Sequence, residues 1–358
     1  MMSADPSEVD FAAQGRCARG DAPEISILLP TYDRAVTLER CLHALLQQRT
    51  KRSFEVIVVD NAPHSGYTRE SVARFPQVRL IVEPRQGLSC ARNAGIGAAR
   101  GEIIVFTDDD TRAAPDWLEN LVAPFSARPE VAAVTGKTLP MKLETEAEQL
   151  FEAYGGLGGG TAAAEFDSEW LGAKLWWLPL WQMGTTANAA FRASVFGDPA
   201  VGVMDERLGA GSPVGAWEDL YLFYRILRAG YVVVYEPRAE VQHAHRQGLA
   251  QLSKQLQAYR RGEVAFCLLA LHHERDWRAL LHLLLWIPYW RATQVFGELL
   301  RRLRGQKRFR FPMLLREWWA YLEGPAALLS SQRRVRRWAS PPPSGPADAA
   351  GFSARVPK

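Results

Sequence analysis

The chain has 358 residues, 47% of them hydrophobic and 23% charged, with a formal net charge of +4. That is enough apolar material for one large core plus an extension, and too much for a chain that stays unfolded. Cys17, Cys41, Cys90 and Cys267 are scattered without CxxC spacing, which argues against structural zinc and against a secreted disulfide scaffold. The N-terminal stretch has no apolar signal core, so export is not expected. Pro/Gly/Ala/Ser-rich composition predicts disordered tails at 1–23 and 339–358.

From residue 24 onward, short apolar runs alternate with helix-like stretches. ISILLP (25–30) precedes a Thr37-capped amphipathic stretch reaching Gln48, and FEVIVVD (54–60) precedes a helix around 67–75. VRLIVEP (78–84) leads to a helix over 88–100, then IIVFTDDD (103–110), a helix opened by Pro115, and VAAVTG (131–136). Near-continuous Val/Ile/Leu runs mark strands buried on both faces, so the pattern predicts βα units around a parallel sheet. Such sheets bind ligands at the carboxyl ends of their strands. There the chain keeps Thr31-Tyr32-Asp33, Asp60-Asn61 and Asp108-Asp109-Asp110.

Three adjacent acids repel one another unless a cation sits among them, so the triplet predicts a hard divalent metal, Mn²⁺ or Mg²⁺, carrying a diphosphate. The competing reading is a solvated acidic turn ahead of the Pro115 helix. A Walker-type phosphate loop is absent, and the glycines of GIGAARG (95–101) read as packing and capping residues.

Six segments in order then carry a resemblance: ILLPTYDR (27–34), VIVVDN (56–61), GLSCARNAGIGAARGEIIVFTDDD (87–110), TTANAAFRASVF (185–196), MDERLGAGSPVGAWEDLYLFYRILRAGY (204–231) and VVYEPRAEVQHAHR (233–246). Over residues 24–246 the chain resembles the family-two glycosyltransferases of the GT-A fold. The resemblance implies a Rossmann-like, mostly parallel sheet flanked by helices, with a nucleotide-binding half (24–136) and an acceptor half (137–246). It implies that Thr31, Tyr32, Asp33, Asp60 and Arg92 line the nucleotide pocket, with Asp108 and Asp109 also on the nucleotide-sugar. Asp108 and Asp110 match the ends of the Asp-x-Asp metal motif. The donor implied is a UDP- or GDP-sugar, and the acceptor a glycan, a lipid-linked saccharide or a small molecule.

Trp217-Glu218-Asp219 opens an amphipathic helix, where acids also serve simply as dipole complements. The resemblance makes Asp219 the base that deprotonates the acceptor hydroxyl, with in-line displacement and inversion, and Glu218 a group that orients the acceptor or holds the base. Trp217 and Asn188 are the expected acceptor contacts. Arg225 lies two turns along the same helical face, either bracing one of these carboxylates or exposed. The preceding loop, 209–215, is glycine-rich and expected to be mobile. His243 and His245, at i and i+2, point to opposite faces of an extended segment, so at most one reaches the metal. The family's pattern places a metal or diphosphate contact here, and His243 fits it better. Residues 170–181 hold four tryptophans, either sugar or lipid platforms or core.

Past residue 246 the composition changes. Residues 262–338 hold 14 Lys/Arg against 6 Asp/Glu, interleaved with Leu/Trp-rich stretches too short to span a bilayer. An amphipathic basic helical extension over 247–338 is expected on the cytoplasmic face of an anionic membrane. Trp286, Trp290, Trp318 and Trp319 would lie at the interface, with Arg301, Arg302, Arg304, Lys307 and Arg308 toward headgroups. A packed helical subdomain or a dimer surface is the alternative. Nucleic acid is not an expected partner, since the acidic half would repel it. The rival functions are a nucleotidyltransferase on a related fold and an inactive sugar-nucleotide or membrane-binding protein.

Overall fold

The computed structural model describes residues 22–126, 128–157, 159–176, 178–304 and 311–339. The expected tails lie outside these but for residues 22, 23 and 339, as do Trp177, Lys307 and Arg308.

The first half alternates β1 (Ile25–Thr31), α1 (Ala35–Leu46), β2 (Phe54–Asp60), α2 (Tyr67–Val72), β3 (Val78–Val82), α3 (Leu88–Ala98) and β4 (Ile103–Thr107). All residues of β1 and β2 are buried, as unbroken apolar runs require. Helix α1 covers the sheet with Leu38, Cys41, Leu42 and Leu45, the i, i+3, i+4, i+7 stripe of an amphipathic helix. Strands β1, β2, β3 and β4 pair in parallel, so Thr31, Asp60 and the Asp triplet emerge on one edge.

The second half contains β5 (Thr111–Ala113), α4 (Trp117–Val122), β6 (Val131–Pro140), α5 (Glu146–Tyr154), β7 (Ala164–Phe166), α6 (Ser168–Gly172), β8 (Asn188–Arg192), α7 (Glu218–Arg228) and β9 (Val232–His243). The sheet runs β3-β2-β1-β4-β8-β6-β9-β5, with β7 paired to β9. The 131–136 run does not extend the parallel series directly. Antiparallel β8 inserts between β4 and β6, and β6 pairs in parallel only with β9. The architecture is the expected GT-A type, parallel in its nucleotide half and mixed beyond it.

Side-chain alternation divides the core. Ile25, Ile27, Leu29, Val56 and Val58 face α1 and α4, while Leu28, Ile57 and Val59 face the opposite layer. That opposite layer includes α8 (Leu249–His272), whose Ala265, Phe266, Cys267 and Leu269 join Leu28, Phe106 and Phe191 in one cluster. A Cβ on Gly262 would lie 2.4 Å from Trp217 Cδ1, so the α8 backbone rests directly on that indole. The expected extension is therefore present, and its first helix shares the catalytic half's core. After α8 come α9 (Arg278–Leu281), a π-helical stretch over 282–286, α10 (Ile287–Leu303) and α11 (Phe311–Ala339), which lies along α8.

Close approach explains the glycines of 95–101. A Cβ on Gly95 would lie 2.9 Å from Leu28 Cδ1, and one on Gly101 would lie 2.6 Å from the Ser26 amide nitrogen. Backbone cannot yield as a side chain can. Gly101→Ala is expected to cost about 1–3 kcal/mol, the usual scale of overpacking, whereas Gly197→Ala, with nothing within 4 Å of the added carbon, stays close to wild type. Urea unfolding of the two variants checks this.

Candidate active site

The chain turns sharply after β4. The Thr111 amide and hydroxyl both donate to the Asp108 carbonyl, at 3.2 and 2.8 Å, closing a tight loop that presents three carboxylates. Strand β5 then pairs Thr111 with His243 of β9, and the Ala244 amide donates to the Asp110 carbonyl at 3.0 Å. This pairing brings the His243 imidazole to Asp110, with Nε2 3.3 Å from Oδ1. Asp108, Asp110 and His243 each offer a ligand atom within 4.8 Å of the others, a carboxylate/imidazole set suited to a hard or borderline divalent ion. His245 points the other way: Nε2 lies 2.7 Å from Glu152 of α5 and the ring packs edge-on against Phe151.

The acids are not left alone. Arg34 Nη1 reaches Asp109 at 3.1 Å and Asp110 at 2.5 Å, and Thr31 donates to Asp109 at 2.6 Å. Burial pushes the Asp109 carboxyl up to about 6, with Arg34 opposing and Asp110 adding. Asp109 thus faces Thr31 and Arg34 rather than joining the ligand set. Arg34, the last residue of PTYDR, was legible as a cation beside the cleft, yet the strand-end reading stopped at Asp33.

Across the cleft, Trp217 adopts a left-handed conformation (φ 74°) that turns the glycine-rich loop into α7. Its indole lies tilted against Phe266, ring centroids 5.1 Å apart, and is only 8% exposed. The expected acceptor contact is thus spent on holding α8. Glu218 and Asp219 occupy the first turn of α7, where the helix dipole favours carboxylates. Burial nevertheless pushes Glu218 up to about 7, Asp219 adding and Arg92 opposing. Asp219 is also raised by burial, against hydrogen bonds from the Leu220 and Thr186 amides.

Four other expectations meet a different arrangement. Arg92, expected at the nucleotide, is only 1% exposed and lies between the two acidic groups, 2.9 Å from Asp108 and 3.4 Å from Glu218. Asn188, expected at the donor or acceptor, is fully buried: Oδ1 accepts from Trp117 Nε1, and Nδ2 donates to the Lys137 and Ala239 carbonyls. It ties four segments together beneath the cleft. Arg225 braces neither carboxylate, donating instead to the Val203 carbonyl at 2.7 Å and lying over Tyr221. The loop expected to be mobile is anchored: Ala210 accepts from the Leu88 amide at 2.9 Å and Gly211 from Arg334 of α11 at 2.5 Å.

Of the nucleotide-side residues, Thr31 and Asp60 are buried at their strand ends, while Tyr32 and Asp33 are exposed. Asp60 accepts from the Ala62 amide at 3.0 Å, fixing the turn after β2. An open cleft of about 570 Å³ runs past Asp33, Arg34, Thr37, Tyr67, Asp110, Arg246 and Gln251. Tyr67 and Gln251 carry no local motif, so only the fold brings them here, whereas Arg246 ends the segment 233–246.

The model of the family described as "Glycosyl transferase family 2" matches residues 26–197, which hold β1 to β8, the triplet and Arg92. A glycosyltransferase of Haloferax volcanii, AglE, is 36% identical over 110 residues, 29% of this chain and 36% of that protein. An uncharacterized protein of Sinorhizobium fredii is 28% identical over 234 residues, 62% of this chain and 24% of its own length. The chain therefore aligns with about a third or less of these relatives' lengths. Among solved structures, a mannosyltransferase of Pyrobaculum calidifontis, in complex with GDP-Man and Mn²⁺, is 21% identical. That match covers 91% of this chain and 77% of the other at a TM-score of 0.49. Over residues 26–197, a little under half of the chain, the protein is thus similar to glycosyl transferase family 2.

Proposed function

We propose that the protein is a metal-dependent, inverting glycosyltransferase that moves a sugar from a nucleoside-diphosphate donor to an acceptor hydroxyl. The observation that carries this reading is the position of Arg92. One buried guanidinium touches both Asp108 of the triplet and Glu218 beside Asp219, so the leaving-group side and the base side are fixed at a set spacing.

Asp108, Asp110 and His243 would hold the ion, Mn²⁺ or Mg²⁺, and when bound it would supply positive charge against the departing diphosphate. The chain's own residues do the rest. The Asp219 carboxylate, steadied by the Leu220 amide at 2.8 Å, accepts the proton of the acceptor hydroxyl. The freed oxygen bonds to the anomeric carbon as the bond from that carbon to the diphosphate oxygen breaks, and a single displacement inverts the centre. Arg92 keeps Glu218 from repelling Asp219 at full strength. Thr31, Tyr32, Asp33 and Asp60 sit where a base and ribose would lie along the strand ends. A peripheral position on the cytoplasmic face of a membrane belongs to the same reading, and none of the described helices is long and apolar enough to cross one.

Asp219→Asn keeps the shape but cannot take the proton, so turnover should fall at least about a hundredfold with donor affinity little changed. Near-normal turnover would move the base elsewhere. Asp110→Ala and His243→Ala should each weaken metal-dependent donor binding at least about tenfold, and Asp110→Ala should change stability little, because removing one of several like charges offsets the lost contact with Arg34. Calorimetry with UDP- and GDP-sugars and Mn²⁺ reads this, and unchanged affinity overturns the metal assignment.

The raised Glu218 carboxyl also has a pH consequence. Its native state favours the neutral form, so the associated stability is present below the ordinary value of 4.5 and lost as pH rises through about 7. Glu218→Gln cannot ionise. It should raise the thermal midpoint relative to wild type above about pH 7, and that gain should vanish below 4.5.

A further inference from the structure

Helices α10 and α11 sort their side chains by chemistry. Arg291 of α10 holds them together, donating to the Leu314 carbonyl at 3.2 Å and pairing with Glu317 of α11 at 3.1 Å. Both acids that face inward, Glu298 and Glu317, are 1% exposed, and Glu323 is paired with Arg261 of α8. Outward the order is reversed. Phe296, Leu303, Trp319 and Leu322 are 61%, 77%, 64% and 72% exposed. Tyr289, Trp290, Leu299, Leu315 and Trp318 continue the same surface. The exposed charges among them are basic: Arg304, Arg316, Arg333 and Arg337. Trp176 of the acceptor half joins the edge of this surface, packed on Trp286 and Tyr289.

A soluble monomer rarely exposes a contiguous apolar patch of more than a few hundred Å². A second copy is a poor occupant, because a two-fold interface sets the patch against itself and would oppose arginines to arginines, while Glu323, the one acid of the described residues on α10 and α11 that is not buried, is already paired with Arg261. An anionic leaflet satisfies both halves of the pattern: acyl chains take the leucines and phenylalanine, the headgroup layer takes the tryptophans and tyrosine, and lipid phosphates take the arginines. We propose that the outward face of α10 and α11 inserts into one leaflet of an anionic membrane, holding the protein by buried apolar side chains and not by surface charge alone. This assignment is independent of the reaction at the cleft.

The full chain should float with vesicles containing phosphatidylglycerol, and should stay bound in about 1 M salt, where the Debye length has shrunk to about 3 Å. Trp318→Glu/Trp319→Glu/Leu322→Glu, at exposed positions, should lose flotation at least about tenfold while keeping its circular dichroism, thermal midpoint and any metal-dependent donor hydrolysis. As a second measurement, tryptophan emission of the unmodified chain should be quenched by lipids brominated in the acyl chain. Complete release at high salt, absence of quenching, or flotation of the triple variant as wild type would overturn the proposal. So would a wild-type dimer that the triple variant dissolves without any vesicle binding. Loss of donor hydrolysis with flotation intact would count against the catalytic reading and leave this one standing.

Discussion

Crowding of negative charge is the constraint around which the rest is arranged. Asp108, Asp109, Asp110, Glu218 and Asp219 meet at one sheet edge, and carboxylates this close raise one another's proton affinity unless cations are interposed. The fold interposes two guanidiniums from different strand-helix junctions. Arg92, from α3, is enclosed and bridges two of the acids. Arg34, from the turn after β1, is more accessible and clasps another two. Because each arginine comes from a separate βα unit, the cluster exists only when β1 and β4 lie side by side in register. Site assembly and sheet assembly are thus one event.

The nucleotide half was legible because burial on both faces leaves an unmistakable mark: Leu28 to Leu29 and Val56 to Val59 have no solvent side, so no polar residue interrupts them. The acceptor half was not legible in the same way. Strand β8 is five residues long and pairs antiparallel with two partners distant in sequence, and β5 has three residues, fewer than periodicity can register. The role of Asn188 was misjudged for a physical reason. A polar residue near a strand end reads as a ligand contact, but whether its hydrogen-bonding capacity is already consumed depends on neighbours that sequence does not place. Trp117, Lys137 and Ala239 consume that of Asn188. The same applies to the histidine pair, where alternation predicts opposite faces but only the β5–β9 pairing decides which faces Asp110.

The change of composition near residue 246 is a change of surface, not of core. Helix α8 buries Leu252, Leu256, Val264, Phe266 and Leu269, while basic charge accumulates outside, on the later helices. Beneath them lies a buried polar layer: Glu263 accepts from Tyr321 and pairs with Arg260 and His282, and Glu317 pairs with Arg260 and Arg291. Removing one member of such a layer leaves another charge buried without its partner, so the layer resists piecemeal change and fixes how α10 and α11 sit on α8.

The clasp of Arg34 on Asp109 and Asp110 makes loading of the proposed metal an ion exchange. A guanidinium is a tethered counter-ion, always present at high local concentration, and an incoming cation would have to compete with it for the Asp110 carboxylate. Free metal alone would therefore meet a site that is already partly neutralised. A diphosphate arriving with its metal changes the balance, because its oxygens give the displaced arginine somewhere to go. On the proposed reading the tethered arginine would couple the two ligands, each raising the other's affinity, and a divalent ion without a nucleotide would bind the more weakly.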